Sequence, residues 1–341
     1  MSDDMKEEKA KTIILGAPKH FGIDKMLERE LLNQGFFVIN ISFFDNKFEY
    51  ESLLEWLKIK WNKKKHSKTD VLFKRSQENI SNQLVKIKGK ADYALIIRPD
   101  SFPLFFLETT LKEKAKMILA YQWDALSRFP QIDQYLSIFD RFFIFDPQDR
   151  GTVSTSETTN FYPVSYSHLN RRDYQTEVYY WGNYSSERKE ILTTLIQHFK
   201  EQNISHSMHL YKRHKLSFLK KNQLISSKSI SFEENLHRSY NAKALIDMAP
   251  AGQHGLSFRV FEAIGFEKKL ITNNPSIVHY DFYHPANIFI YGNDNIETLK
   301  HFINEPYFPI KKEIKEKYSF RNWIRYILDI KPFEKLSFPK K

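Results

Sequence analysis

The stretch that most constrains this chain runs from Lys243 to Asn274. Lys-Ala-Leu-Ile-Asp-Met opens it, a short apolar run suited to a buried strand. Ala-Pro-Ala-Gly-Gln-His-Gly-Leu-Ser follows, and Pro250, Gly252 and Gly255 make it a loop. Ser257 suits a helix N-cap, because its hydroxyl can accept a backbone N–H bond. Val260, Phe261 and Ile264 then recur at helical spacing, and Leu270–Thr272 reads as the next strand. A strand, a glycine loop, a helix and a strand in this order form the right-handed crossover of a parallel sheet.

The order has a chemical consequence. The loop lies at the carboxyl end of a strand and opens onto a helix N-terminus, where unpaired N–H groups can hold a phosphate. Arg259, in the first turn, can add a charge-assisted bond to a diphosphate. Glu262 lies three residues on, near Arg259, and a carboxylate there can accept bonds from two ribose hydroxyls. The same spacing also suits a local ion pair on a solvated helix. Spacing alone leaves both readings open.

His-Gly-Leu-Ser-Phe-Arg-Val-Phe-Glu-Ala-Ile-Gly, followed by Lys-Leu-Ile-Thr-Asn-Asn, resembles the donor-binding element of GT-B glycosyltransferases. The resemblance implies an α/β chain of two Rossmann-like domains facing across a cleft, with a C-terminal helix crossing back to the first domain. It makes Glu262 the ribose ligand. It sets His254, Gly255, Leu256, Ser257 and Arg259 against the diphosphate, with Gly182 in the first loop of the second domain. Many retaining members carry a second glutamate eight positions before the ribose ligand, where this chain has His254. That departure leaves an inverting or divergent enzyme open.

The 341 residues suffice for two domains of ordinary size, and 41% hydrophobic with 15% aromatic residues can bury a sizeable core. Cysteine is absent, which excludes disulfides, thiolate nucleophiles and cysteine metal sites. The start of the chain is polar, and no uninterrupted apolar run reaches membrane-spanning length. The expected location is the cytoplasm, with peripheral attachment to the inner face of the membrane. A formal charge of +11 attracts nucleic acid, anionic lipid or phosphorylated substrates alike. Leu53–Arg75 is the densest basic patch, with Trp56, Trp61 and Lys63, Lys64 and Lys65. It suits a membrane surface or a nucleic-acid backbone, but a solvated face is the commoner use of such a run. No nucleic-acid module accompanies it, so nucleic acid is not an expected partner.

The elements fall into two strand–helix series. Residues 1–10 read as a flexible tail, 11–170 as an acceptor domain and 171–316 as a donor domain. A C-terminal crossover helix and tail then occupy 317–341, the helix expected as one piece over Lys315–Leu328. In the first series, strands at Tyr93–Ile97, Lys116–Gln122 and Arg141–Phe145 run into Asp100, Asp124 and Asp146. Carboxylates at strand ends can serve as general bases, but Asp also caps helices there. Helices are expected at Ile80–Lys88, Phe105–Lys114 and Ile132–Phe139. The second series restarts at Val178–Trp181 with Gly182-Asn183 and a helix from Ser186, whose Arg188 and Lys189 could reach phosphates. His209 and His214 lack carboxylate partners at ligand spacing and read as surface histidines.

The expected function is transfer of a sugar from a nucleotide-activated donor to a hydroxyl of a glycan or lipid-linked acceptor, in bacterial surface-polysaccharide synthesis. No Asp-x-Asp element stands at a strand end, which fits a reaction without metal or any cofactor besides the donor. An inverting reaction needs a base, and Asp100, Asp124 and His20 are the candidates. A nucleotide-sugar 2-epimerase on the same fold and a non-catalytic basic binding protein are the alternatives.

Overall fold

The computed structural model describes residues 10–43, 52–54, 57, 68–166, 175–212 and 224–339. The chain forms two compact units. One comprises Met1–Ile144 and Asp149–Ser156, the other Phe145–Gln148 and Glu157–Lys341.

The first unit holds β1 (Thr12–Gly16), β2 (Phe37–Asn40), β3 (Ala91–Ile97), β4 (Ala115–Gln122), β5 (Arg141–Ile144) and β6 (Thr155–Glu157). Their order is β2-β1-β3-β4-β5-β6, and the pairings from β2 through to β5 are parallel. Leu15 stands opposite both Asn40 and Leu95, and Leu119 opposite both Leu95 and Arg141. Central strands are covered on both faces, so β3 and β4 read as near-continuous apolar runs rather than alternating ones. Helix α1 (Ile23–Asn33) buries Met26, Leu27 and Leu31 and ends before Gly35, whose φ of +84° a side chain would resist. Helix α2 (Lys68–Leu84) starts and stops earlier than Ile80–Lys88.

The expected helix at Phe105–Lys114 is present, helical over 104–114, with π register at Phe106–Leu111. The one expected at Ile132–Phe139 is barely one turn, Asp133–Leu136. In the second place the burial of Ile132 and Ile138 produces the helical spacing without a regular helix, and in the first Phe106, Leu107 and Leu111 are buried by a helix of mixed register. Apolar periodicity reports the buried face, not the hydrogen-bond register.

The second unit repeats the plan with β7 (Thr176–Asn183), β8 (His206–Tyr211), β9 (Ile225–Ser226), β10 (Ala242–Asp247), β11 (Lys269–Thr272) and β12 (Ile288–Ile290). The order is β12-β11-β10-β7-β8-β9, parallel throughout. Helices α3 (Ser186–Glu201), α4 (Phe232–Tyr240) and α5 (Phe258–Gly265) join its strands, and α6 (Leu299–Asn304) follows the last of them. Val178, Leu192, Leu195, Phe199, Leu210, Ala244, Ile246 and Ile271 form one core cluster. Each large apolar side chain there contributes roughly 1.5–3 kcal/mol by leaving water. The α/β class and the pair of Rossmann-like units agree with the sequence reading.

The C-terminal amphipathic stretch is two helices, α7 (Lys312–Lys317) and α8 (Phe320–Ile327), rather than one. Ser319 causes the break. Its hydroxyl accepts the Asn322 N–H at 3.2 Å and caps α8. The backbone beside it pairs with Tyr162, whose N–H donates to Tyr318 O at 3.0 Å and whose O accepts from Phe320 N–H at 2.9 Å. Trp323 and Phe320 then pack on the Phe161 ring, with centroids 4.5 and 5.0 Å away. The last helix is therefore fastened to residues 161–162 of its own unit.

Candidate functional site

The sheet order of the second unit sets the carboxyl ends of β7, β10 and β11 side by side. Ligands of open parallel sheets bind at such ends. Asp247 closes β10 and joins three elements. Its Oδ1 accepts the Ser257 hydroxyl at 2.7 Å, and its Oδ2 accepts the Thr272 hydroxyl at 3.1 Å. Ser257 Oγ also accepts the Arg259 N–H at 3.1 Å, so the predicted N-cap forms. One buried carboxylate thus ties the end of β10 to the start of α5 and the end of β11.

A second lock holds the two loops that leave β10 and β11. The Asn273 amide exchanges bonds of 2.8 and 3.1 Å with the N–H and O of Ala249. The Asn274 amide and the Ser276 hydroxyl donate to His254 O at 3.3 and 3.1 Å. Between the loops lies a cavity of about 500 Å³, with Glu187, His254, Asn273, Asn274, Ser276 and His279 in its wall. That volume suits a small polar ligand. Sequence reasoning noted Asn273 and Asn274 only as part of the motif, and it missed Glu187, Ser276 and His279 altogether. Asn-Pro-Ser after a strand is a turn and capping signal, and that signal does not distinguish a wall of a cavity from an ordinary turn.

The expected phosphate-binding amides are engaged. The N–H groups of His254 and Gly255 both donate to Asp146 Oδ2 at 3.1 Å, and Asp146 is fully buried. A fixed carboxylate thus meets the partial positive charge of this turn. Gly255 is required by packing, since a Cβ there would lie 2.5 Å from the Phe145 ring. Leu256 is buried, and its carbonyl accepts the Asn160 amide at 2.9 Å. At Gly182 a Cβ would strike the Tyr180 hydroxyl, so its own strand demands the glycine. Arg188 directs its guanidinium at the carbonyls of Met248, at 3.2 and 2.9 Å, and Asn183, at 3.2 Å. It braces the loop after β7 against the end of β10.

Arg259 and Glu262 form an ion pair at 3.1 Å, but a buried one, with Glu262 only 2% exposed. Arg259 Nη2 also approaches Trp181 O at 3.3 Å and Asn235 Oδ1 at 3.4 Å. Its guanidinium carbon stands 5.7 Å from the centre of the Tyr179 ring. The Tyr179 hydroxyl donates to Asn235 Oδ1 at 2.9 Å, and burial pushes its pKa up to about 12. Burial also raises the Glu262 pKa, against the opposing pull of Arg259 and the Ser239 hydroxyl. The pair is therefore a buried strut between α5, α4 and β7 rather than a solvated pair on the helix surface. Sequence spacing identified the partners and could not reveal their burial.

In the first unit Asp100 and Asp124 converge on one residue. Arg98 bonds both Asp100 oxygens at 2.7 and 2.6 Å and Asp124 Oδ2 at 2.9 Å, and Arg128 takes Asp124 Oδ1 at 2.7 Å. Burial lowers the Arg98 pKa, yet its carboxylate partners outweigh this and raise it. Arg98 has a φ of +58° and stands 4.3 Å from the Phe129 ring centre. Removing a proton with either aspartate first requires breaking a charge-assisted bond. His20 opens the turn after β1 and is half-buried. Asp146, the third strand-end aspartate, is the loop anchor described above and also accepts the Gln148 N–H at 3.0 Å.

His209 is half-buried beside Trp181, with ring centroids 5.6 Å apart, and burial lowers its pKa. His214, Trp56, Trp61, Lys63, Lys64 and Lys65 lie outside the described residues. Among the described residues there is no group of three or more His, Asp and Glu side chains placed to hold a metal ion. No helix among them is long and apolar enough to cross a membrane.

No protein-family model matches the chain, and no curated protein matches it in sequence. Similar solved structures include a UDP-N-acetylglucosamine 2-epimerase, at 11% identity over 96% of this chain and 99% of that one, with a TM-score of 0.47. An alpha-glucosyltransferase in complex with UDP and a mismatched DNA is 10% identical over 94% and 93%, with a TM-score of 0.45. The glycosyltransferase SnogD from Streptomyces nogalater is 10% identical over 95% and 96%, with a TM-score of 0.41. Likenesses of this size fix neither a family nor a substrate.

Proposed function

We propose that the protein is a GT-B glycosyltransferase that moves a sugar from a nucleotide-activated donor to a hydroxyl of a glycan or lipid-linked acceptor. The observation that carries the reading is the polar cavity at the carboxyl ends of β10 and β11, beside the capped start of α5. Its wall comes from the stretch whose sequence resembles the donor element. The diphosphate lies along the 250–253 part of the loop, clear of the amides that Asp146 and Asn273 hold, with the asparagines and Ser276 offering neutral donors and acceptors to ribose and sugar hydroxyls. Arg259 and Glu262 keep α5 in register with β7. Asp100, Asp124 and His20 remain the candidates for the acceptor base. A role in bacterial surface-polysaccharide synthesis, at the cytoplasmic face of a membrane, completes the proposal.

The test is a thermal-shift screen against nucleoside diphosphates and CMP, with wild type, His254→Ala and Ser276→Ala. A ligand that binds only the native state raises its melting point. One nucleotide class should stabilise wild type and lose its effect in both variants. No shift with any nucleotide overturns the reading.

A second reading rests on the cavity's own acid–base groups. His254, His279 and Glu187 line it together, and proton transfer at a sugar carbon needs such groups. A nucleotide-sugar 2-epimerase would convert its substrate with no acceptor present, so product analysis without acceptor separates the two activities.

A further inference from the structure

One edge of the first unit combines cations with exposed apolar side chains. In a parallel sheet the strand starts and the ends of the crossing helices share an edge. Here that edge gathers Lys11 before β1, Lys86, Lys88 and Lys90 before β3, Lys112, Lys114 and Lys116 around the start of β4, and Arg141 at the start of β5. Six of these lysines, all but Lys114, are exposed. Among the described residues the carboxylates there are Asp92, Glu113 and Asp140. Asp92 is held by Lys116 at 2.8 Å and by the Thr12 N–H at 2.9 Å, and Asp140 accepts the Ile118 N–H at 2.7 Å. The patch is continuous. Lys90 Nζ donates to Lys112 O at 3.1 Å, Lys11 Nζ lies 6.0 Å from the Tyr93 ring centre, and Tyr93 meets Phe36 edge-on.

Three large apolar side chains stand out at the same edge. Leu32 in the last turn of α1 is 53% exposed, Phe37 at the start of β2 is 52%, and Val85 just after α2 is 78%. We infer that this edge is a docking surface for an anionic lipid bilayer, with lysines on the headgroups and Leu32, Phe37 and Val85 below them. Charge complementarity selects an anionic partner, and each lysine near such a surface adds to the attraction. The apolar side chains select lipid over nucleic acid, whose backbone offers them nothing to enter. Nearly all the cations are lysines, point charges that suit headgroups without demanding the bidentate geometry of arginine. The surface lies at the opposite strand ends from Asp100 and Asp124, so docking leaves that end of the sheet open.

The experiment is co-sedimentation of the full chain with phosphatidylcholine vesicles, with and without phosphatidylglycerol. Wild type should bind only the anionic vesicles and lose binding as salt rises. The double charge reversal Lys88→Glu with Lys90→Glu should weaken binding about tenfold or more. Phe37→Ser with Val85→Ser should weaken it several-fold while leaving the salt dependence. These positions are exposed, so wild-type melting points confirm that the variants are folded. No binding to anionic vesicles overturns the inference, as does binding that neither double variant changes. Tight binding of duplex DNA, with vesicle binding indifferent to the apolar pair, also overturns it in favour of a nucleic-acid surface.

Discussion

Glu262 shows how much of a residue's role its burial decides. A carboxylate 2% exposed beside a guanidinium at 3.1 Å is stable only while both partners are present. Glu262→Ala leaves Arg259 buried and unpaired and should cost about 3–5 kcal/mol in chemical denaturation. Glu262→Gln keeps a hydrogen-bond acceptor and should cost less. Equal, small losses for both variants would show the strut to be dispensable. Lys268 makes a pH prediction. Burial lowers its pKa from 10.5 to about 8, with the ammonium 4.7 Å from the Tyr240 ring centre. Between those values the unfolded chain holds more protons, so stability rises with pH; below about 8 both states are protonated and the burial penalty is complete. Lys268→Met should therefore exceed wild type at neutral pH by roughly 1–3 kcal/mol and lose that advantage as pH approaches 10.5. Urea midpoints across this range check it.

At the scale of elements, Asp247 is the joint between β10, α5 and β11. Ser257→Ala removes both an N-cap and a bond to Asp247, at a cost of about 1–2 kcal/mol. Asp247→Ala releases Ser257 and Thr272 together and should cost more, with weaker nucleotide binding because the cavity wall loosens. Stability and binding that fall together across the two variants support this; nucleotide binding untouched by Asp247→Ala contradicts it. The capped start of α5 was legible because Ser257 precedes a helical apolar spacing and follows a glycine loop. The Asn273 and Asn274 staples were not, since their partners, Ala249 and His254, lie some twenty residues away in sequence. Ser319 hid the break between α7 and α8 for the same reason. Its local spacing continues an amphipathic stripe, while the bridge to Tyr162 comes from far along the chain.

At the scale of the whole molecule, the two parallel sheets were readable because apolar runs alternate with helical spacings twice along the chain. The loop and the helix start of the candidate site were readable as local structure, and their contacts were not. His254 and Gly255 present their amides to Asp146, more than a hundred residues distant, so no local motif could assign them a carboxylate partner. The net charge of +11 is likewise a property of the whole chain, and only the fold collects a share of it at one edge of one sheet. The central claim is that the cavity beside α5 holds a nucleotide-sugar donor. Hydrogen exchange, with and without the nucleoside diphosphate that stabilises the protein most, tests it most directly. The account predicts slower exchange over residues 249–257 and 273–276, with the edge around Lys88 and Lys90 unchanged. Protection confined to other segments, or none, would contradict it.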